Sequence, residues 1–309
     1  MNREQFLAEL ATRLAKIAPV ERDDILNYYL EYFEDRGIGA EDRVPPDLAS
    51  PAAIADEILQ NIPFSQTHAA DGVRLETIHM PDLRRLDIEL SLGSLEIEAA
   101  DISEPELRRP AHRESREIDY EVEIFTEGDK LVIRDHVRKK WFRSSNFQPD
   151  PMILRIPKAN SLEQAKIVLS LGSTKIYDLN CKHLHLHNSM GSIRLKGGVI
   201  DLLDARLEMG SIKFENVLIK SSTIKVDMGD LRGTAVLLGN HNLRCEMGSI
   251  KLDLAQSREN TALQTDVTMG SFRVNGRREG TGAFDRSSVP TSSLEIKVSM
   301  GSINLNFLQ

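Results

Sequence analysis

The chain has 309 residues, 40% of them hydrophobic, with a net charge of −8 and two cysteines. This composition excludes a disordered chain and a disulfide-stapled scaffold, and the acidic balance argues against direct nucleic-acid binding. The acidity is concentrated: residues 1–65 hold six Lys/Arg against thirteen Asp/Glu, which leaves about −1 for the rest.

In chain order, residues 1–62 read as helix, within a helical domain bounded at 1–65. Phe6, Leu7, Leu10 and Leu14 fall at helical spacing. After Ala18-Pro19, a second helix is predicted from Val20 to Arg36, with Ile25, Leu26, Tyr29 and Phe33 on its apolar face and Gly37 and Gly39 at its end. Ser50-Pro51 opens a third, capped by Ser50, with Ile54, Ala55, Ile58 and Leu59 buried. The expectation is a small three-helix bundle with acidic outer faces, followed by a linker over 63–72. No cleavable leader and no run of eighteen apolar residues is present, so the default expectation is a cytoplasmic protein, with membrane-peripheral attachment left open.

From Arg74 the period changes to 2, as in LDIELSLGSLEIEA. Residues 101–160 break the regularity with hairpin-like strands (IDYEVEIF and KLVIRDHV), a basic loop, and the strand MILRIPK. The repeat beyond them decides the fold. Glycines 172, 191, 210, 229 and 248 are 19 apart; Gly270 and Gly301 follow after 22 and 31, and Gly93 is an outlying earlier copy. Two columns before the glycine are mainly apolar: Ile167/Leu186/Ala205/Ile224/Leu243 and Leu169/Asn188/Leu207/Val226/Cys245. A third holds Leu171/Met190/Met209/Met228/Met247, and Ile193, Ile212, Leu231 and Ile250 follow the corner. A strand sends alternate residues inward, glycine permits the corner, and stacked units bury what one unit cannot. The fold predicted over 72–309 is therefore mainly β: a parallel β-helix or solenoid of 19-residue coils, with an irregular insertion at 101–160. Six of the nine methionines occupy the third column, which strict alternation assigns to the core. Open ends would expose strand edges; the 101–160 segment is expected to cap one end and the longer final intervals to cap or pair the other, with self-association through the ends as the alternative.

Two resemblances rest on these residues. The repeated Met/Leu-Gly-Ser-Ile corners make residues 72–309 similar to the bacterial putative-adhesin β-helix domain family, which implies a right-handed parallel β-helix and carries over no catalytic residue. Residues 1–62 resemble the HAAS signalling domain through Phe6-Leu7, Leu10, Leu14, Glu21 to Ile25, the Tyr28-Tyr29-x-x-Tyr32-Phe33-Glu34-Asp35 block, and Leu48-x-x-Pro51-x-x-Ile54-Ala55. That domain implies a protein partner in a PadR-like regulator system. Ala49 or Ser50 stands where the family has a glycine before the proline motif, and no membrane helix follows.

Outward columns are where function is expected. Lys175, Arg194, Lys213, Arg232, Lys251 and Arg273 follow the corner isoleucines and read as a six-rung basic ladder. Its functional reading is a surface for an anionic polymer or membrane headgroups, its bland one a solvated, charge-compensated face. His187, Arg206, Lys225 and Arg244 form a second basic column, two residues before the acidic Glu208, Asp227 and Glu246. Stacked carboxylates also have the spacing of a retaining glycosidase pair, but a solenoid makes such spacing automatically. His183, His185 and His187 face one side without a further ligand, so no metal is assigned. Cys245 stands in a core column. Arg138, Lys139, Lys140, Trp141, Phe142 and Arg143 form a basic-aromatic segment suited to an anionic membrane or an acidic partner, the acidic helical domain included. The sequence predicts a non-enzymatic binding or scaffold protein without cofactor, a cell-envelope-related signalling adaptor. An adhesin-like binder of anionic surfaces is the alternative, and a polysaccharide-active enzyme a remote one.

Overall fold

The computed structural model describes all residues except 15–24, 27–28, 31, 34–35, 37, 46–47, 56–63, 69–72, 111–112, 115–117, 140–150, 281, 285–289 and 309. It divides into two compact units, Met1–His79 and Met80–Gln309.

The first unit opens with α1 (Arg3–Arg13). The Asn2 side chain accepts from the Gln5 backbone N–H and the Gln5 side chain accepts from that of Asn2, so two otherwise unpaired donors are satisfied. Residues 25–26, 29–30, 32–33 and 51–55 are also helical. The Ser50 hydroxyl accepts from the Ala53 backbone N–H, as its capping role requires. Phe6, Leu10, Leu14, Phe33, Ile54 and Ala55 form the core, with Leu7, Ile25, Leu26, Tyr29 and Tyr32 packed against it. Phe6 meets Phe33 edge-on at 5.4 Å between ring centroids. The stretch expected as a linker holds β1 (Phe64–His68), which pairs antiparallel with β2 (Val73–Ile78).

The second unit is mainly β. It begins with β3 (Arg85–Leu92), β4 (Leu95–Ala100), β5 (Glu106–Pro110), β6 (Arg113–Glu114), β7 (Ile118–Glu127), β8 (Lys130–Lys139) and β9 (Met152–Pro157). The repeat region continues with β10 (Leu162–Tyr177), β11 (Asn180–Lys196), β12 (Val199–Leu237) and β13 (Gly239–Leu254). It ends with β14 (Thr261–Val274), β15 (Arg277–Glu279), β16 (Gly282–Phe284) and β17 (Ser292–Phe307). Strands β10, β11, β12 and β13 stack in parallel with a constant offset of 19, Gly172 beside Gly191, Gly191 beside Gly210, and Met228 beside Met247.

Chain order and stacking order part company at both ends. The outlying Gly93 copy is not remote: β3 and β4 pair in parallel directly with β10, Leu92 beside Leu171. Beyond them lie β8 and β9, so part of the 101–160 insertion forms the next rung out. At the other end β17 pairs with β13 on one side and β14 on the other. Gly301 therefore sits between Gly248 and Gly270, and the final strand is clasped on both edges. Outside these rungs, antiparallel strands cover the edges: β7 on β8 and β5 on β9 at one end, β15 and β16 on β14 at the other. The capping expectation is met in this form, and such caps suppress edge-to-edge pairing.

Two inward columns are as predicted. Ile167, Leu186, Ala205, Ile224 and Leu243 are buried, as are Leu169, Asn188, Leu207, Val226 and Cys245, and the corner isoleucines are fully covered. Asn188 is satisfied in place: it donates to the Gly172 carbonyl at 3.3 Å and accepts from the Thr174 hydroxyl at 3.0 Å. The corner glycines adopt φ near +135°. A Cβ on Gly210 would lie 1.7 Å from the Gly191 carbonyl oxygen, so the corner needs glycine for its conformation and for the close stacking.

Candidate binding surfaces

The corner overturns one expectation. The methionine column is not core: Met190, Met209, Met228, Met247 and Met300 are 40–43% exposed and Met269 is 60% exposed. The reason is local. Between the buried Leu207 and Ile212, the chain turns through Glu208, Met209, Gly210 and Ser211, and none of these four is buried. Strict alternation would put Met209 inside, but the turn at a glycine with φ +136° breaks the period, so Met209 stays outside beside Glu208. Stacking repeats this on every rung. In space the column runs Leu92, Leu171, Met190, Met209, Met228, Met247, Met300, Met269.

The ladder after the corner is also altered. Lys175 stands beside Glu96 at one end, and Asn304 lies between Lys251 and Arg273 at the other, so five basic rungs are contiguous instead of six. The rungs differ electrostatically. Lys175 pairs with Glu96 at 3.6 Å, while Lys213 at 2.5 Å and Arg194 at 3.9 Å share Glu215. The Lys213 hydrogen bond holds the Glu215 carboxyl below the usual range. Arg232 and Lys251 are exposed and have no ion pair among the described residues. Arg273 reaches the Ser271 hydroxyl at 3.0 Å.

The second basic column is cross-braced to the acidic one. His187 meets Glu208 at 3.4 Å, Arg206 meets Asp227 at 3.7 Å, and Lys225 bridges Asp227 and Glu246 at 2.8 and 3.0 Å. Each base reaches an acid one rung on, so the carboxylate ladder is spent on pairing. His185 similarly faces Asp204 at 3.2 Å. Among the described residues no group of three or more His, Cys, Asp or Glu is arranged to hold a metal ion.

Arg138 and Lys139 end β8, whereas Lys140, Trp141, Phe142 and Arg143 lie outside the described residues. Cys181 and Cys245 are free and buried, and burial pushes both thiols up to about 11. Three features escaped the sequence reading. Asp230 interrupts the corner serines and accepts from both the backbone N–H and hydroxyl of Ser249, at 2.9 and 2.7 Å. Asp178, Gly197 and Asn216, 19 apart, share positive φ and mark a second corner, signalled only by their shared tolerance of that conformation. His241 is buried in a column held mainly by leucines, with Ala165 and Ser222. Its Nδ1 accepts from the Ser222 hydroxyl at 2.8 Å, its Nε2 donates to the Leu238 carbonyl at 2.9 Å, and burial pushes its pKa down to about 4. Among the described residues no helix is long and apolar enough to cross a membrane.

Comparison with known proteins gives two family matches. Residues 83–289 match Toastrack DUF4097, and residues 5–57 match HAAS. No curated protein matches the chain. Similar solved structures include a "putative adhesin" from Bacteroides fragilis, 11% identical, covering 77% of this chain and 98% of its own, with a TM-score of 0.40. A "putative cell adhesion protein" from Clostridium sporogenes is 14% identical over 76% and 98%, with a TM-score of 0.31. A "putative lipid binding protein" from Parabacteroides distasonis is 12% identical over 78% and 98%, also at 0.31.

Proposed function

Because the chain belongs to the Toastrack DUF4097 family, we propose that it is a non-enzymatic binding and scaffold protein, an adaptor in cell-envelope-related signalling. The acidic helical domain of residues 1–65, HAAS-like over 5–57, takes a protein partner of a PadR-like regulator system. The β unit serves as the rigid platform, a right-handed β-helix of 19-residue coils, and the helical domain is a three-helix bundle. The protein acts in the cytoplasm or at the membrane periphery.

The observation that carries this reading is the stacking register. Parallel pairing at a fixed offset turns single outward residues into straight columns, a geometry for holding an extended partner and not for assembling a catalytic pocket. The carboxylates with the spacing of a hydrolytic pair are braced by bases instead. A second copy would meet the stack at its antiparallel caps and not at bare parallel edges. The test is co-purification from the native host with the full chain and with Met80–Gln309. A partner kept by the full chain and lost by the shorter one supports the adaptor, and equal recovery contradicts it.

The exposed, unbraced Arg232 and Lys251 favour a second reading, contact with an anionic polymer or anionic membrane. Binding to anionic vesicles should weaken steeply with salt and in Arg232→Gln/Lys251→Gln. Salt-independent binding, or none, would remove this reading.

A further inference from the structure

The exposed thioether column is not used by either reading. Solvent-facing positions seldom repeat one large apolar residue, and an apolar ridge on this scale marks a recognition surface. Its chemical identity is more specific than its polarity. Leucine occupies Leu92 and Leu171 at one end, so the fold accepts leucine there. The next six rungs in space all carry methionine. They do so even where chain order breaks, with Met300 placed between Met247 and Met269. The intervals of 22 and 31 residues that replace the 19-residue spacing leave the sulfur column intact.

A thioether differs from an isobutyl group in one chemical respect that matters in water: it is a neutral, soft ligand for copper(I)-like ions. The spacing suits that chemistry. Parallel rungs are about 4.8 Å apart. A soft ion held linearly between two sulfurs, with metal–sulfur bonds of about 2.3 Å, spans about 4.6 Å. Adjacent methionines thus meet the requirement with little adjustment, and their three rotatable bonds supply the remainder. The corner glycine next to each methionine has no side chain to obstruct an approaching ion.

We propose that Met190, Met209, Met228, Met247, Met300 and Met269 form a linear binding track for soft monovalent cations, with copper(I) as the ligand class. Each ion bridges two neighbouring rungs. Thioethers do not titrate, so the track works below the pKa of histidine and rejects hard or borderline ions such as calcium, magnesium and zinc.

Silver(I) is the probe, because it is redox-inert and of the same class. The full chain carries Cys181→Ala and Cys245→Val to remove competing thiols; valine already occupies the Cys245 column at Val226. With methionine methyl groups labelled for NMR, silver at about pH 5.5, below the ordinary pKa of an exposed imidazole, should shift the signals of the six column methionines and leave buried Met80 and Met152 unmoved. Calorimetry should give about three ions per chain, one for each pair of thioethers. Met209→Leu/Met228→Leu, which keeps the ridge apolar, should reduce this to about one. Unchanged thermal unfolding of that variant would confirm that only the ligands were lost. The proposal is overturned by a silver stoichiometry that the leucine pair leaves unchanged, by no methyl shifts at about 100 μM silver, a weak-binding limit, or by equal shifts with zinc. An apolar docking ridge without metal chemistry would give the second outcome.

Discussion

Replacing Gly210 by alanine should damage the fold far more than one methyl group suggests. Two costs coincide. At φ +136° an alanine leaves the regions open to L-residues, which costs on the order of 1–3 kcal/mol. The added Cβ would lie 1.7 Å from the Gly191 carbonyl oxygen, and that oxygen belongs to backbone already fixed by its own rung. Opening the stack enough to admit it is overpacking against a rigid neighbour, roughly another 1–3 kcal/mol. Together about 2–6 kcal/mol is expected, a large part of the 5–15 kcal/mol that stabilises a typical domain. Urea denaturation measures it, with Gly280→Ala as the control, since nothing lies within 4 Å of a Cβ there and its φ is not positive. A Gly210→Ala midpoint indistinguishable from that of Gly280→Ala would refute the stacked-corner geometry.

Met209→Ser should change stability by no more than ~0.5 kcal/mol because the side chain faces solvent, whereas Leu207→Ala two residues earlier should cost about 2–5 kcal/mol; comparable losses in denaturation would return the methionine to the core. His241 makes stability depend on pH. Its folded pKa is about 4 against 6.5 for an ordinary histidine, so between those values the unfolded chain binds the extra proton. Stability should be full above pH 6.5 and fall as pH drops towards 4, by about 3 kcal/mol in all. Ser222→Leu/His241→Leu should flatten that slope and stay folded, because leucines already fill this column at Leu203 and Leu294; an unchanged pH slope would clear His241 of the role. Cys181 and Cys245 should resist a thiol reagent at pH 8 in the native protein and react on unfolding, since burial raises both thiols to about 11.

Much of the fold was legible because a 19-residue repeat fixes register. Once Gly172 and Gly191 align, Leu186 must lie over Ile167, and burial follows from the period of 2. The methionine column was misread for a definable reason. Alternation holds along a strand but not through a corner, and Met209 sits at that boundary beside Gly210. The stacking order was illegible for another reason. Chain distance says which segments are repeats but not which repeats touch, so the insertion of β17 between β13 and β14 could not be read from intervals of 22 and 31. That insertion is also what breaks the basic ladder at Asn304. In the helical unit, Phe6, Leu10, Leu14, Phe33 and Ile54 were identified directly, since helical spacing suffices to gather one face.

Every outward column is built by the order in which the rungs stack. That order is tested by paired cysteines in the full chain under mild oxidation. Lys251→Cys/Asn304→Cys places the two on directly paired rungs, at a Cα separation of about 5 Å that a disulfide can span. Lys251→Cys/Arg273→Cys places them two rungs apart, at about 10 Å and beyond reach. An efficient cross-link is expected in the first variant and none in the second. Cross-linking of 251 to 273, with 251 and 304 left reduced, would contradict this order.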